Sequence, residues 1–304
     1  MSVIIPPFLN QGDTVAIVAT ARKVSEAEMA AAIHILSSWG LKVITSPNLF
    51  QSQNQFSGTD EERAADFLWA WNHPNVKAIF CARGGYGSIR IVDKIDVSIF
   101  TKNPKWLVGF SDVTLLLSLL QNQGLASVHG IMPILFSEPQ AADSILSLKN
   151  VLWGEASQIS LPSHSLNRIG EATGMLIGGN LSIINNTIAT ACDTDFKDKI
   201  LFIEDIDEYL YHIDRMMQHL KYAGKLENLA GLVVGHFTNM RDNTVPFGKS
   251  AYEIIQEAVA EYNFPVAFGF PLGHDYPNLA LKVGVKATLA VKTNGVVFKQ
   301  SFKE

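Results

Sequence analysis

The sequence predicts an α/β protein built on a parallel sheet with helices on both faces. Two observations point to it. Short, near-continuous apolar runs alternate with longer stretches of helical spacing through the first half of the chain, and strands buried on both faces read as such runs. Capping signals mark where several of the helices begin and glycines where they stop. At 304 residues the chain is long enough for two domains of roughly 150 residues each.

Taken in order, Thr14 to Ala19 is a strand after Gly12-Asp13, and Ser25-x-x-Glu28 opens a helix that stops at Gly40. Leu41 to Thr45 is the second strand, and Thr59-x-x-Glu62 starts a capped helix ending near Trp71. Val76 to Cys81 is the third, followed by a glycine-rich turn and a helix from about Ser88. Trp106 to Val108 is the fourth strand and Val113 to Gln121 its helix. The first domain spans 1–150, and a linker at 151–169 lies within the irregular stretch Ala142 to Ile169. The second domain, 170–304, opens with Gly178-Gly179-Asn180-Leu181-Ser182 leading into a helix to about Thr190. Strands follow at Lys199 to Ile203, Gly231 to Phe237 and Val266 to Phe270, with helices at Tyr209 to Ala223 and Ser250 to Tyr262. The tail, Ala287 to Gln300, reads as a hairpin around Asn294-Gly295.

Composition narrows the function. The chain is 47% hydrophobic and 17% charged, with net charge −5, and no Lys/Arg cluster offers a phosphate-tracking surface for nucleic acid. Cys81 and Cys192 lack metal-ligand or C-x-x-C spacing, which fits free thiols in a reducing compartment. The N-terminus has no signal-peptide pattern, and no apolar run reaches the roughly 18 residues of a membrane span. The expectation is a cytoplasmic protein.

Ser111 carries the most chemical information. It ends the run Trp106-Leu107-Val108-Gly109-Phe110-Ser111 and precedes a helix, as in a nucleophile elbow, which lifts the hydroxyl out and leaves the next N–H at a helix N-terminus. The glycine usual two residues after the serine is absent, so a plain helix cap remains an alternative. Arg83-Gly84-Gly85-Tyr86-Gly87-Ser88 follows the third strand and is either an anion-binding nest or an ordinary tight turn. Glu204 closes an apolar strand, and His274 follows another in Pro271-Leu272-Gly273-His274. Singly each reads as structural. Together they supply what a serine nucleophile needs: a base to take its proton and an acid to hold that base.

These segments resemble the L,D-carboxypeptidase family, serine peptidases of the muramoyltetrapeptide carboxypeptidase type that include microcin C self-immunity hydrolases. The resemblance rests on Gly109-Phe110-Ser111-Asp112, the Arg83 to Gly87 turn, Gly178 to Ser182, Leu201 to Asp205, and Pro271 to Asn278. It implies a flavodoxin-like, doubly wound N-terminal domain, a smaller mixed C-terminal domain and a homodimer. It also implies a triad of Ser111, His274 and Glu204, with the oxyanion held by the N–H of Asp112 and of the Gly84-Gly85 turn. No cofactor or metal is implied. The substrate the resemblance implies is a peptide with a C-terminal D-amino acid, cut during cell-wall recycling, and Arg83 and Tyr86 are candidates to meet its free carboxylate. Asp275 and Ala280-Leu281-Lys282 depart from the family pattern and bear on substrate fit, as do the loops Asn48 to Ser57 and Arg241 to Lys249.

Other readings stay open at the level of sequence: a microcin-type peptidyl-nucleotide hydrolase, a general α/β-hydrolase esterase, and a non-catalytic cleft-binding protein. Glu208, His212 and His219 fall on one helical face, a pattern more typical of a solvated surface than of a zinc site.

Overall fold

The computed structural model describes residues 3–300 and divides into two compact units. Among the described residues, unit 1 holds 3–155 and 277–284, and unit 2 holds 156–276 and 285–300. The chain therefore enters unit 2, returns to unit 1 for one short strand, and goes back.

Unit 1 contains β1 (Thr14–Val18), α1 (Glu26–Ser38), β2 (Lys42–Thr45), α2 (Asp60–Asn72), β3 (Val76–Cys81), β4 (Trp106–Gly109), α3 (Thr114–Asn122), β5 (Ser127–His129) and α4 (Ala142–Leu152). Unit 2 contains β6 (Ser157–Leu161), β7 (Gly170–Asn180), α5 (Leu181–Thr187), β8 (Lys199–Ile206), α6 (Leu210–Tyr222), β9 (Gly231–Thr238), α7 (Ala251–Ala258) and β10 (Val266–Ala267). Then β11 (Leu281–Val283) returns to unit 1, and β12 (Lys286–Lys292) and β13 (Gly295–Gln300) end the chain in unit 2.

The unit 1 sheet runs β11-β5-β4-β3-β1-β2, parallel except for the edge strand β11. Without that edge strand this is the 2-1-3-4-5 order of the flavodoxin-like doubly wound fold, as anticipated. Val15 to Val18, Ala78 to Cys81 and Trp106 to Val108 are fully buried, which is why these strands read as unbroken apolar runs. The boxes opening α1 and α2 form as their sequences require: Ser25 and Thr59 accept from the N–H of Glu28 and Glu62, whose carboxylates return to the cap backbone. One expectation fails here. The helix predicted from Ser88 is three separate 3-10 turns, Ser88–Arg90, Val92–Lys94 and Val97–Ile99, in a stretch rich in β-branched residues and Asp that favours local turns over a continuous helix.

The unit 2 sheet runs β10-β9-β8-β7-β12-β13-β6. Strands β10 to β7 are parallel, and β12, β13 and β6 add antiparallel pairs, including the Asn294-Gly295 hairpin. Its core gathers Leu201, Ile203, Leu232 and Val234 from the sheet with Ile213, Met216, Met217 and Leu220 from α6 and Ile254 and Ile255 from α7. Here β7 approaches β8 closely: a Cβ at Gly178, where φ is +135°, would sit 1.9 Å from the Phe202 carbonyl oxygen. Gly178→Ala is expected to cost about 3 kcal/mol or more, from clash and left-handed strain together. A drop in the urea midpoint at unchanged m-value would show it.

The stretch Ala142 to Ile169 is more ordered than its composition suggests, since it carries α4 and β6. The helix forms on Ser144, Leu148, Val151 and Leu152, which recur at helical spacing and are buried.

Candidate active site

In unit 1, Ser111 sits directly past the carboxyl end of β4, at the start of a 3-10 turn (Ser111–Val113) that runs into α3. Its φ is +61°, a conformation that a non-glycine residue adopts at a cost of order 1–3 kcal/mol and that clusters at working sites. This is the strained strand-to-helix turn of a nucleophile elbow. A helix start directs backbone N–H groups outward, beyond its first turn; in this turn the Val113 N–H donates to the Phe110 carbonyl at 3.2 Å.

The glycine-rich turn after β3 meets the elbow. A Cβ on Gly84 would lie 3.4 Å from both the Asp112 amide nitrogen and the Ser111 Cβ. The side chain of Asp112 holds the two loops in register, because its carboxylate accepts the Ser88 N–H at 2.9 Å. Burial pushes the Asp112 carboxyl above its ordinary range, while the Ser88 and Gly87 N–H groups pull it back. Sequence reasoning assigned Asp112 only through its backbone; the side chain is a bracket as well. The signal was present, since an acid beside a nucleophile at a helix start and a nearby run of glycine N–H groups are complementary. Gly85 packs against Arg22. Arg83 lies 3.9 Å from Glu28 in a partly exposed pair, and Tyr86 is 44% exposed beside the Phe56 ring.

In unit 2, strand alternation sorts the acids of β8. Leu201 and Ile203 face the α6/α7 core, so Glu204 emerges on the opposite face and Asp205 returns to the α5 side. Asp205 accepts from the Asn180 amide at 2.8 Å, from the Ser182 N–H at 2.9 Å and from the Ile206 N–H at 2.9 Å. Burial, then the charge of Glu204, pushes the Asp205 carboxyl up to about 7. Asn180 and Glu204 are register partners across β7 and β8.

Glu204 is fully buried, and its Oε2 lies 2.5 Å from His274 Nδ1. Residues 70 positions apart meet because the segment after β10 folds onto β9: Phe270 N–H donates to the Val234 carbonyl at 3.0 Å and His236 N–H to the Leu272 carbonyl at 2.9 Å. Gly273, at φ +111°, makes the final turn, where a Cβ would fall 2.7 Å from Glu204 Oε2. Only glycine lets the carboxylate reach the imidazole here. Burial opposes the charged imidazolium, but the carboxylates of Glu204 and Asp205 outweigh it, so the His274 pKa lies above its ordinary value. A histidine fixed through Nδ1 leaves Nε2 to exchange a proton with a reactant.

The remaining candidates do not compete. Cys81 and Cys192 are buried free thiols whose pKa values rise to about 12 and about 11, chiefly through burial, so neither is a nucleophile near neutrality. His212 pairs with Glu208 while His219 turns to Asn185 at 3.0 Å; the three positions do not converge. Among the described residues no group of His, Cys, Asp and Glu could hold a metal ion, and no helix is long and apolar enough to cross a membrane.

Comparison with known proteins places this pairing of units. Residues 15–130 match the model of the LD-carboxypeptidase N-terminal domain, and residues 173–289 match that of the C-terminal domain. The chain belongs to the LD-carboxypeptidase family. The carboxypeptidase is 34% identical to the probable murein peptide carboxypeptidase of Bacillus subtilis (strain 168), over 98% of this chain and 95% of that one. The crystal structure of muramoyltetrapeptide carboxypeptidase from Oxalobacter formigenes superposes with a TM-score of 0.87 at 27% identity, covering 95% of this chain and 98% of that one. The microcin C7 self immunity protein MccF superposes with a TM-score of 0.85 at 21% identity, covering 99% of each chain. That second likeness is one of fold, and gives the microcin-type alternative no separate support.

Proposed function

We propose that this carboxypeptidase removes the terminal D-alanine of murein tetrapeptides by hydrolysing the amide between an L-centre and D-Ala. Ser111 is the nucleophile, His274 the base and Glu204 the acid that orients it. The observation that carries the reading is the 2.5 Å contact between His274 Nδ1 and a fully buried Glu204. It is a base preset on its carboxylate in a chain that also carries a strained elbow serine. The murein substrate is supported by what the relatives from Bacillus subtilis and Oxalobacter formigenes are called.

His274 Nε2 takes the Ser111 hydroxyl proton as Oγ attacks the scissile carbonyl. The negative oxygen of the tetrahedral intermediate is held by the N–H of Asp112 and one from the Gly84-Gly85 turn, each worth about 100- to 1000-fold in rate. The imidazolium, stabilised by Glu204, then returns its proton to the leaving amine, and D-alanine departs from an acyl-enzyme. Water, deprotonated by the same imidazole, releases the shortened peptide. Arg83 meets the substrate's terminal carboxylate by exchanging its loose contact with Glu28, and Tyr86 lies in the same turn. The reaction belongs to cytoplasmic cell-wall recycling, and the working protein is a homodimer without a cofactor. Incubation with murein tetrapeptide should yield the tripeptide, seen by mass spectrometry as loss of one alanine. An unchanged substrate mass after overnight reaction would contradict the assignment.

A further inference from the structure

We propose that Phe56 is a positioning residue for the oxyanion: it acts through the Gly84–Gly87 turn, and the Arg63 and Arg90 guanidiniums fix its ring against that turn. The proposal deepens the peptidase reading above and rests on it.

The need for such a residue follows from the composition of the turn. Three of the four positions Gly84-Gly85-Tyr86-Gly87 are glycine, and Gly85 and Gly87 take φ values of +102° and +148°. Glycine enters that backbone conformation without a clash, and leaves it as readily. A donor that stabilises charge in the transition state is effective only when it is aimed beforehand. The aim must come from groups outside the turn. On one side the Asp112 carboxylate supplies it, by holding the Ser88 N–H.

On the other side the turn rests on Ala21, Arg22 and Phe56. A Cβ on Gly87 would lie 2.8 Å from the Ala21 Cα and 3.3 Å from the Phe56 Cδ1, and one on Gly85 would lie 2.7 Å from the Arg22 Cδ. The Tyr86 and Phe56 ring centroids are 6.0 Å apart. Main-chain bonds hold this support together: the Lys23 N–H donates to the Gln55 carbonyl at 3.0 Å, and the Ser57 N–H to the Ala21 carbonyl at 3.1 Å. Two cations then fix the ring. The Arg63 Cζ stands 4.7 Å from its centroid and the Arg90 Cζ 5.6 Å. Asp60, at the start of α2, accepts from both, from Arg63 at 2.5 Å and from Arg90 at 2.8 and 2.9 Å. Arg63 is buried and also donates to the Gly58 carbonyl at 2.8 Å. A ring that meets two guanidiniums is held by electrostatic attraction as well as by packing. These contacts touch the turn and none of the reacting atoms, so Phe56 acts on the rate through the aim of the turn.

Steady-state kinetics on murein tetrapeptide test this in the full chain, with urea unfolding read in parallel. Phe56→Leu keeps an apolar side chain and removes the ring faces. It is expected to lower kcat about tenfold, part of the roughly 100- to 1000-fold worth of an oxyanion donor, with KM within about twofold of wild type. Phe56→Tyr restores the ring and should return kcat to within about threefold of wild type. Arg90→Gln alters a side chain that is 47% exposed, so it is expected to fold. It should lower kcat about threefold at unchanged KM, the size of one exposed cation–π contact. With an active wild type, a Phe56→Leu kcat within about twofold of it overturns the positioning role and leaves the peptidase reading intact. A raised KM at unchanged kcat overturns it too, because the ring would then be contacting substrate. Should Phe56→Leu not fold, Arg90→Gln decides, and an unchanged kcat there overturns the proposal. A wild-type chain that leaves the tetrapeptide uncut overturns both readings.

Discussion

Ser111→Ala is expected to lower kcat on murein tetrapeptide by about 10⁴- to 10⁶-fold, the scale seen when a serine nucleophile that works with a base is removed. The reason is chemical. In the proposed mechanism no acyl-enzyme forms without Oγ, and the residual rate comes from oxyanion donors and substrate positioning acting on water. The fold should not suffer, because alanine deletes one oxygen and must adopt the same left-handed φ of +61°, a strain the serine already bears. A melting temperature within about 2 °C of wild type, together with the lost turnover, is the expected pair of results. Undiminished activity would take Ser111 out of the mechanism.

Glu204→Gln is the second large effect, and it is more informative than removing His274. His274→Ala would leave a buried carboxylate without its partner, costing about 3–5 kcal/mol of stability and mixing folding with catalysis. Glutamine keeps the size and a hydrogen bond while removing the charge. A loss of about 10⁴-fold in kcat is expected, because the amide neither fixes the productive tautomer nor stabilises the imidazolium. The pH profile should move as well. Wild-type His274 has a pKa raised above 6.5, and only the neutral ring can take a proton, so kcat/KM should fall on the acid side with a limb above pH 6.5. In Glu204→Gln burial remains and the main opposing charge is gone, so the limb should shift to lower pH.

Asp205, at about 7, and His236 lie close enough to titrate with the pair, so the limb belongs to the cluster and not to one ring. Stability follows the opposite limb. Because the folded pKa of His274 is raised, the ion pair stabilises the native state fully below about pH 6.5, and that contribution disappears as pH rises through the folded value. Urea midpoints of wild type and Glu204→Gln should therefore differ most in mild acid and converge at alkaline pH.

Much of the scaffold was legible because local signals and tertiary demand agree. Ala78 to Cys81 is apolar because both faces of β3 are covered there, and the Ser25 and Thr59 boxes name helix starts outright. The misses have physical causes. β7 contains Gly170, Gly174, Gly178 and Gly179, and its alternation of half-buried and exposed positions stops at Gly174, ahead of the buried Leu176 and Ile177, so composition does not announce a strand. Gly174 and Gly178 let β8 come close. β5 and β11 are three residues each. The return of β11 to the first sheet is a long-range pairing with His129, Val128 and Ser127 that no local pattern encodes.

The candidate site divides along the same line. Ser111 and the glycine turn follow their strands directly and could be read from adjacency. That Glu204 and His274 touch depends on the descent of residues 270–274 along β9 and on Gly273 leaving room for a carboxylate. Sequence offered both residues as chemistry-capable, and the family resemblance named their roles, but spacing alone said nothing of their contact. The bracket made by the Asp112 side chain and the Asp205 network behind Glu204 went unread because a buried aspartate is recognised by the N–H groups it accepts, and those come from turns remote in sequence.

The proposed mechanism requires the Ser111 hydroxyl, the His274 imidazole and the Glu204 carboxylate to work together. Groups that act as a unit lose their effect together, so removing the second costs little once the first is gone. The decisive comparison is of kcat on murein tetrapeptide for Ser111→Ala, for His274→Asn, whose amide can still donate to Glu204, and for the double variant. The double variant is expected to be no slower than Ser111→Ala within about threefold. Losses that multiply across the two sites would show that serine and histidine work independently, and would contradict it.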